Sequence, residues 1–366
     1  MLRERQGDHC QPRYLAAAAG SLRGKLSVTL RYRGRMADAS TQRPYRRGPL
    51  RSVWPSTARP LTHREARKAD SSYGVSDLPN WRDIDWPAHT RQVQINGRSI
   101  NYVDIGEGDR TVVFIHGLGG SWQNWLENLP RTAESCRAIA LDLPGFGRSE
   151  MPVDPISITG FAATVDAFCD ALDLGPVVLV GNSMGGFTAA EISIQHPERV
   201  ELLVLVDAAG ISSANVTSSR SGERLARQLM MRGQGDPESA KKMLTRPGFI
   251  ALGMGLVARY PTRISKELLS EQLLTFGDAG FGAAFEAILG YDFRHRLEEI
   301  GCPVLVIQGA DDILVPLGDA IEFCERIPNA RLLTMADTGH VPMFERPVEF
   351  NDALLEFVAA PSAATS

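Results

Sequence analysis

The apolar run Pro176-Val177-Val178-Leu179-Val180 leads through Gly181-Asn182-Ser183-Met184-Gly185-Gly186 straight into a helical stretch, Phe187 to Gln195. No other segment restricts the fold as strongly. Glycines two residues either side of Ser183 let the backbone make a cramped strand-to-helix turn. The serine is then held in a strained conformation with its hydroxyl projecting at the strand end. The following helix aims its free N–H groups at the same point. A G-x-S-x-G pattern alone also fits a glycine-rich turn with a merely exposed serine, so its meaning depends on the rest of the chain.

An attacking serine needs a base, and the base needs an orienting acid. Both types of residue follow Ser183 at the ends of strand-like runs. Pro303-Val304-Leu305-Val306-Ile307 ends in Gln308-Gly309-Ala310-Asp311-Asp312, and Ala330-Arg331-Leu332-Leu333-Thr334-Met335 ends in Ala336-Asp337-Thr338-Gly339-His340. Each candidate lies past the carboxyl end of a strand, where open parallel sheets gather their ligands.

Further blocks follow in order. His116-Gly117-Leu118-Gly119-Gly120 comes after the strand Thr111 to Ile115, and Asp142-Leu143-Pro144-Gly145-Phe146-Gly147-Arg148-Ser149 after the strand Arg137 to Leu141. His196-Pro197-Glu198-Arg199-Val200 leads into Leu202 to Val206, and Glu345-Arg346-Pro347 opens a terminal helix. With these blocks the chain resembles the α/β-hydrolase fold family over roughly residues 90 to 360. The resemblance implies an α/β fold with a mostly parallel sheet flanked by helices, and a Ser-Asp-His order of catalytic residues.

In that family the acid usually lies three residues after the loop glycine and four before a proline, here Gly309 and Pro316, which selects Asp312. Some relatives take the acid from the end of the preceding strand, which leaves Asp207 as an alternative, with Asp311 behind it. Neighbours on an extended loop point apart, so Asp311 and Asp312 cannot both face the base. The base is His340 by elimination. His9 and His63 lie in the N-terminal arm, His89 precedes the first strand pair, His196 closes the nucleophile helix and His295 falls in an inserted segment. His116 opens the loop that should carry the oxyanion hole, where its ring braces that loop. By the same resemblance, the backbone N–H groups of Leu118 and Met184 hold the oxyanion. Loss of one such donor costs about 10²- to 10³-fold in rate.

Composition fits one large domain: 366 residues, 43% of them apolar, with family blocks spread over most of the length. No apolar run approaches 18 residues, so no transmembrane helix is expected. Five cysteines, Cys10, Cys136, Cys169, Cys302 and Cys324, are odd in number and widely spaced. Neither a disulfide framework nor a zinc site is expected, and a reducing, cytoplasmic compartment is the simpler reading. No cofactor or metal is called for.

The net charge of -4 conceals an asymmetry, because residues 1 to 70 hold 16 Lys plus Arg against 5 Asp plus Glu. Such an arm suits an anionic membrane surface, nucleic acid or a targeting role. Residues 1–75 lack apolar periodicity and are broken by Pro and Gly, so they read as a disordered arm without specific nucleic-acid binding, and Met36 offers a later start. Arg46-Arg47 is followed by no apolar region of export-signal length.

Folded structure is expected from about Trp81, beginning with alternating strands around the Asn96-Gly97 turn. The hydrolase core is assigned to 81–210 and 300–360. Residues 211–299 read as a helical cap, with helices over Glu223 to Arg232, Pro237 to Leu244, Ser265 to Phe276 and Phe281 to Leu289, since so long an insertion is too long for a loop. Met230, Met231, Met243 and Met254 in it suggest a pliable lipophilic site. Trp122 and Gln123 are placed at the pocket and Trp125 in the core.

The function that follows is a serine hydrolase acting on a carboxylic ester or lactone of a small apolar substrate. A second reading is carbon–carbon bond hydrolysis, because Gly-Asn-Ser-Met-Gly-Gly also resembles the elbow of ring-cleavage-product hydrolases. Those enzymes typically carry an aromatic residue directly after the catalytic histidine, whereas Val341 follows His340 here. A third is a ligand receptor that keeps the hydrolase fold without its activity. Epoxide hydrolase and haloalkane dehalogenase chemistry is excluded, because both need an aspartate nucleophile where Ser183 stands.

Overall fold

The structure, a computed structural model, describes residues 69–213, 254–273, 275 and 277–360. Eight strands form one sheet in the order β1-β2-β4-β3-β5-β6-β7-β8. They are β1 Thr90–Ile95, β2 Arg98–Ile105, β3 Thr111–Ile115, β4 Arg137–Leu141, β5 Val177–Asn182, β6 Val200–Val206, β7 Val304–Gly309 and β8 Ala330–Met335. β1 and β2 form a hairpin whose Asn96 and Gly97 both have positive φ, 51° and 73°, as a tight two-residue turn requires. β2 joins β4 antiparallel, and every later pairing is parallel.

β5 and β7 are buried along their whole length. This is why they read as continuous apolar runs rather than alternating ones: parallel strands are covered on both faces. Their side chains still alternate. Val177 and Leu179 of β5 join Val113, Ile115, Leu203, Leu205, Val304 and Val306 in one core. Val178 and Val180 join Val112, Phe114, Val204, Val206, Leu305 and Ile307 in the other. Helices α1 Ile158–Ala171, α2 Met184–Gln195 and, later in the chain, α5 Leu317–Arg326 contribute Phe161, Phe187 and Phe323 to the first core. The terminal helix α6 Pro347–Ala359 contributes Phe350, Leu354 and Phe357 to the second. Between β6 and β7 lie α3 Lys266–Gln272 and α4 Phe281–Gly290.

Ser265 caps α3 by accepting from the Leu268 amide at 3.2 Å. The helix expected to run on to Phe276 ends at Gln272. The chain there turns to meet other loops: Gln272 Nε2 donates to the Gln123 carbonyl, Thr275 Oγ1 to that of Gly119, and the Gly280 amide to that of Gly145. The expected helices Glu223 to Arg232 and Pro237 to Leu244, with Met230, Met231 and Met243, lie outside the described residues, as does the arm before residue 69. Among the described residues, no helix is long and apolar enough to cross a membrane.

The boundary expected at Trp81 belongs further toward the N-terminus. Tyr73 is 1% exposed, stands edge-on to Tyr260, and donates its hydroxyl to Glu345, while Asp70 pairs with Arg346 at 2.9 Å. One buried aromatic in a polar stretch has no periodicity to betray it. Truncation through residue 80 should therefore lower the melting temperature by several degrees more than truncation through residue 68, since losing a buried aromatic costs about 3–5 kcal/mol. Thermal melts of both truncations check this; equal values would mean that Tyr73 adds nothing to stability.

Candidate active site

Ser183 lies where β5 passes the chain to α2, at φ 54° and ψ −114°. Such a backbone costs a non-glycine residue of order 1–3 kcal/mol and persists only when its surroundings impose it. The surroundings here are close. A side-chain carbon at Gly181 would stand 2.2 Å from the Gly185 carbonyl oxygen, and one at Gly185 would stand 2.2 Å from that of Ile115. The Ser183 amide donates to the Val206 carbonyl at 2.9 Å, and its own carbonyl accepts from Phe187 and Ala209, each at 3.0 Å. The turn is thereby tied to both α2 and the end of β6.

The loop after β3 packs against this turn: a carbon added at Gly117 would lie 3.2 Å from Ser183 Cβ. His116 braces that loop. Its Nε2 accepts from the Leu143 amide at 2.9 Å, which places the ring proton on Nδ1, 2.7 Å from the Gly117 carbonyl. Burial brings its pKa down to about 4, so the ring is neutral. Met184 is the first residue of α2, and the amides of a helix's first turn have no intrahelical partner. Leu118 follows Gly117 in a turn closed by the Gly120 amide at 3.1 Å. The Met184 side chain is fully buried in the first core and Leu118 packs against the same core.

His340 and Asp312 are brought together from the ends of β8 and β7. His340 Nδ1 stands 2.7 Å from Asp312 Oδ2. Asp312 Oδ2 also accepts from Gln308 Nε2 at 3.4 Å, and Oδ1 accepts from the Leu314 and Val315 amides at 2.7 and 3.1 Å. Asp311 turns the other way, to an ion pair with Arg259 at 3.3 Å. Asp207 is buried beside the pair, and its Oδ1 accepts from the Gly309 amide at 2.9 Å. Burial first, and then the charge of Asp312, hold the Asp207 carboxyl well above the usual carboxylate range. Asp207, Asp312 and His340 offer polar atoms within 4.8 Å of one another, a spacing that would also suit a metal ion. Both Asp312 oxygens accept hydrogen bonds from the protein, however, and the described arrangement is one of hydrogen bonds.

Three residues to which the sequence reading gave no role brace the site, two of them at the histidine loop and one at the loops after β3 and β4. Asn182 Nδ2 donates to the carbonyls of both His340 and Val206, at 3.1 and 3.2 Å, so the residue before the serine also anchors the histidine loop. The buried Glu345 accepts from the amides of Gly339, Val341 and Arg259 and from the Tyr73 hydroxyl. Asp142 accepts from the Trp122 and Arg148 amides and from Asn101, linking the loops after β3 and β4; burial raises its pKa to about 6. The one available signal was a lone acid in an apolar setting, as for Glu345 after Pro342-Met343-Phe344.

Trp125 is fully buried against Phe114 and Phe350, in the core as expected. Trp122 is also buried, packed on Trp86. Met254 is the one cap methionine of the four among the described residues, and it packs against the second core.

A family model for the alpha/beta hydrolase fold matches residues 110–347. The chain is similar to 2-hydroxy-6-oxononadienedioate/2-hydroxy-6-oxononatrienedioate hydrolase 1 of Pseudomonas putida, at 33% identity over 267 residues, covering 71% of this chain and 92% of that protein. It is also similar to 3-oxoadipate enol-lactonase 2 of Acinetobacter baylyi, at 30% identity over 260 residues, 70% of this chain and 91% of that protein. Among solved structures it is similar to Est816, described as an N-acyl homoserine lactone degrading enzyme, with a TM-score of 0.60, 26% identity and coverage of 73% and 100%.

Proposed function

The chain belongs to the alpha/beta hydrolase fold family and is a hydrolase, and from that premise we propose that it cleaves a carboxylic ester or lactone of a small apolar substrate through Ser183, His340 and Asp312. The observation that carries the reading is the 2.7 Å contact of His340 Nδ1 with Asp312, on a loop that Asn182 ties to the strained Ser183 turn. Asp312 accepts a hydrogen bond from Nδ1–H, which keeps the proton on Nδ1 and leaves the lone pair of Nε2 for the serine. Neutral His340 takes the Ser183 proton as Oγ attacks the carbonyl carbon. The Leu118 and Met184 amides receive the charge that develops on the carbonyl oxygen. His340 then returns the proton to the departing alcohol oxygen, and a water activated in the same way releases the acid from the acyl-enzyme. Turnover accordingly rises with pH as the imidazole loses its proton.

Carbon–carbon bond hydrolysis is the second reading, favoured by the relative from Pseudomonas putida. Val341 after His340, where those enzymes carry an aromatic residue, favours the ester. A panel of aryl esters from acetate to octanoate, a simple lactone and a 2-hydroxy-6-oxo-dienoate separates them. Esters or the lactone should give the highest kcat/KM, with butyrate to octanoate ahead of acetate, since each methylene buried adds about 0.8 kcal/mol. Preference for the dienoate would replace the ester reading, and strict preference for acetate would mean a small acyl cavity.

A further inference from the structure

We propose that Asp207 is a positioning residue that stands as a neutral carboxylic acid behind the site and donates its Oδ2 hydrogen to the carboxylate of Asp312. The proposal rests on the Ser183, His340 and Asp312 assignment above and deepens it.

Asp207 occupies the first position after β6 at φ 43°, with its amide donating to the Ile307 carbonyl at 2.9 Å. Its side chain is fully buried. Oδ1 is satisfied by the Gly309 amide, but Oδ2 is buried with no hydrogen-bond donor facing it. A charged oxygen in that position would bear the full cost of desolvation. The Asp312 carboxylate lies within 4.8 Å, and two buried carboxyls at that range do not both ionise.

The donors decide which of the two keeps the proton. Asp312 accepts from the Leu314 and Val315 amides, from Gln308 and from His340, whereas Asp207 accepts from Gly309 alone. The negative charge therefore resides on Asp312. The other titratable groups that bear on Asp207 are His340, across Asp312, and Glu345, whose negative charge also favours the neutral form. An O–H directed at Asp312 fixes that carboxylate against His340 and draws charge from it, which sets how strongly His340 holds its proton. The Asp207 proton stays in place through turnover.

The test is the kcat/KM profile against pH, with melting temperatures, for wild type, Asp207→Asn, Asp207→Val and Asp312→Asn on one aryl ester. Asparagine is neutral and isosteric, keeps an acceptor for Gly309 and supplies a donor for Asp312. Asp207→Asn should fold, stay within about threefold of wild type and leave the acidic limb of the profile in place. Asp207→Val removes the donor, leaves more charge on Asp312, and should move the acidic limb to higher pH. If Asp207 were ionised, Asp207→Asn would delete a negative charge near His340 and move the limb to lower pH. That shift, a loss above about 100-fold, failure of Asp207→Asn to fold, or an unmoved limb in Asp207→Val overturns the proposal. Asp312→Asn distinguishes the two levels of failure. A nearly fully active Asp312→Asn defeats the catalytic assignment itself, whereas inactivity of both asparagine variants defeats only the role given to Asp207.

Discussion

Purified Ser183→Ala should lose about 10⁶-fold in kcat toward aryl esters, the scale on which removal of a serine nucleophile acts when its partners remain. Its fold should be unchanged. The methyl group fits where the Cβ already is, and the turn is held by backbone contacts from Val206, Phe187 and Ala209 that do not involve the hydroxyl. Steady-state turnover beside a thermal melt checks both parts. Retention of more than about a tenth of wild-type activity by a folded Ser183→Ala would remove the nucleophilic-serine mechanism, since that mechanism has no second attacking group.

His340→Ala should fall almost as far, and Asp312→Asn by about 10⁴-fold, because an amide at 312 turns the imidazole to the wrong tautomer. The stronger expectation concerns their combination. If the three groups act as one unit, Ser183→Ala with either second substitution should be scarcely slower than Ser183→Ala alone, because the base has nothing left to deprotonate. Multiplying losses in the double variants would show that His340 or Asp312 acts on some other step. The close packing of Asp207 makes Asp312→Asn informative in another way: a nearly fully active Asp312→Asn with a dead Asp207→Asn would move the orienting acid to the end of β6.

Much of the fold was legible because its signals are local. Thr111–Ile115, Arg137–Leu141 and Ala330–Met335 run between the residues that the apolar pattern indicates. The Asn96-Gly97 turn follows from backbone chemistry of two residues. The meeting of His340 with Asp312 was readable only through family resemblance, as 28 residues separate them and no periodicity links them. Contacts between segments far apart in the chain were not readable. Tyr73 reaches Glu345 across 272 residues, and Asn182 reaches His340 across 158. Nor could sequence show that Asp207 and Asp312, past the ends of the neighbouring strands β6 and β7, compete for one proton. The early end of α3 depends on loops after β3 and β4 that helix propensity does not sense.

The most direct measurement of the central claim is covalent labelling of the folded wild-type protein with a fluorophosphonate, followed by peptide mapping. The account predicts one adduct per chain on the peptide carrying Ser183, absent from Ser183→Ala and formed far more slowly in His340→Ala, because the probe reacts with a serine only when a base and oxyanion donors activate it. A folded wild-type protein that takes up no label, or takes it up on another residue, would contradict the account and leave a ligand-binding protein built on a hydrolase fold.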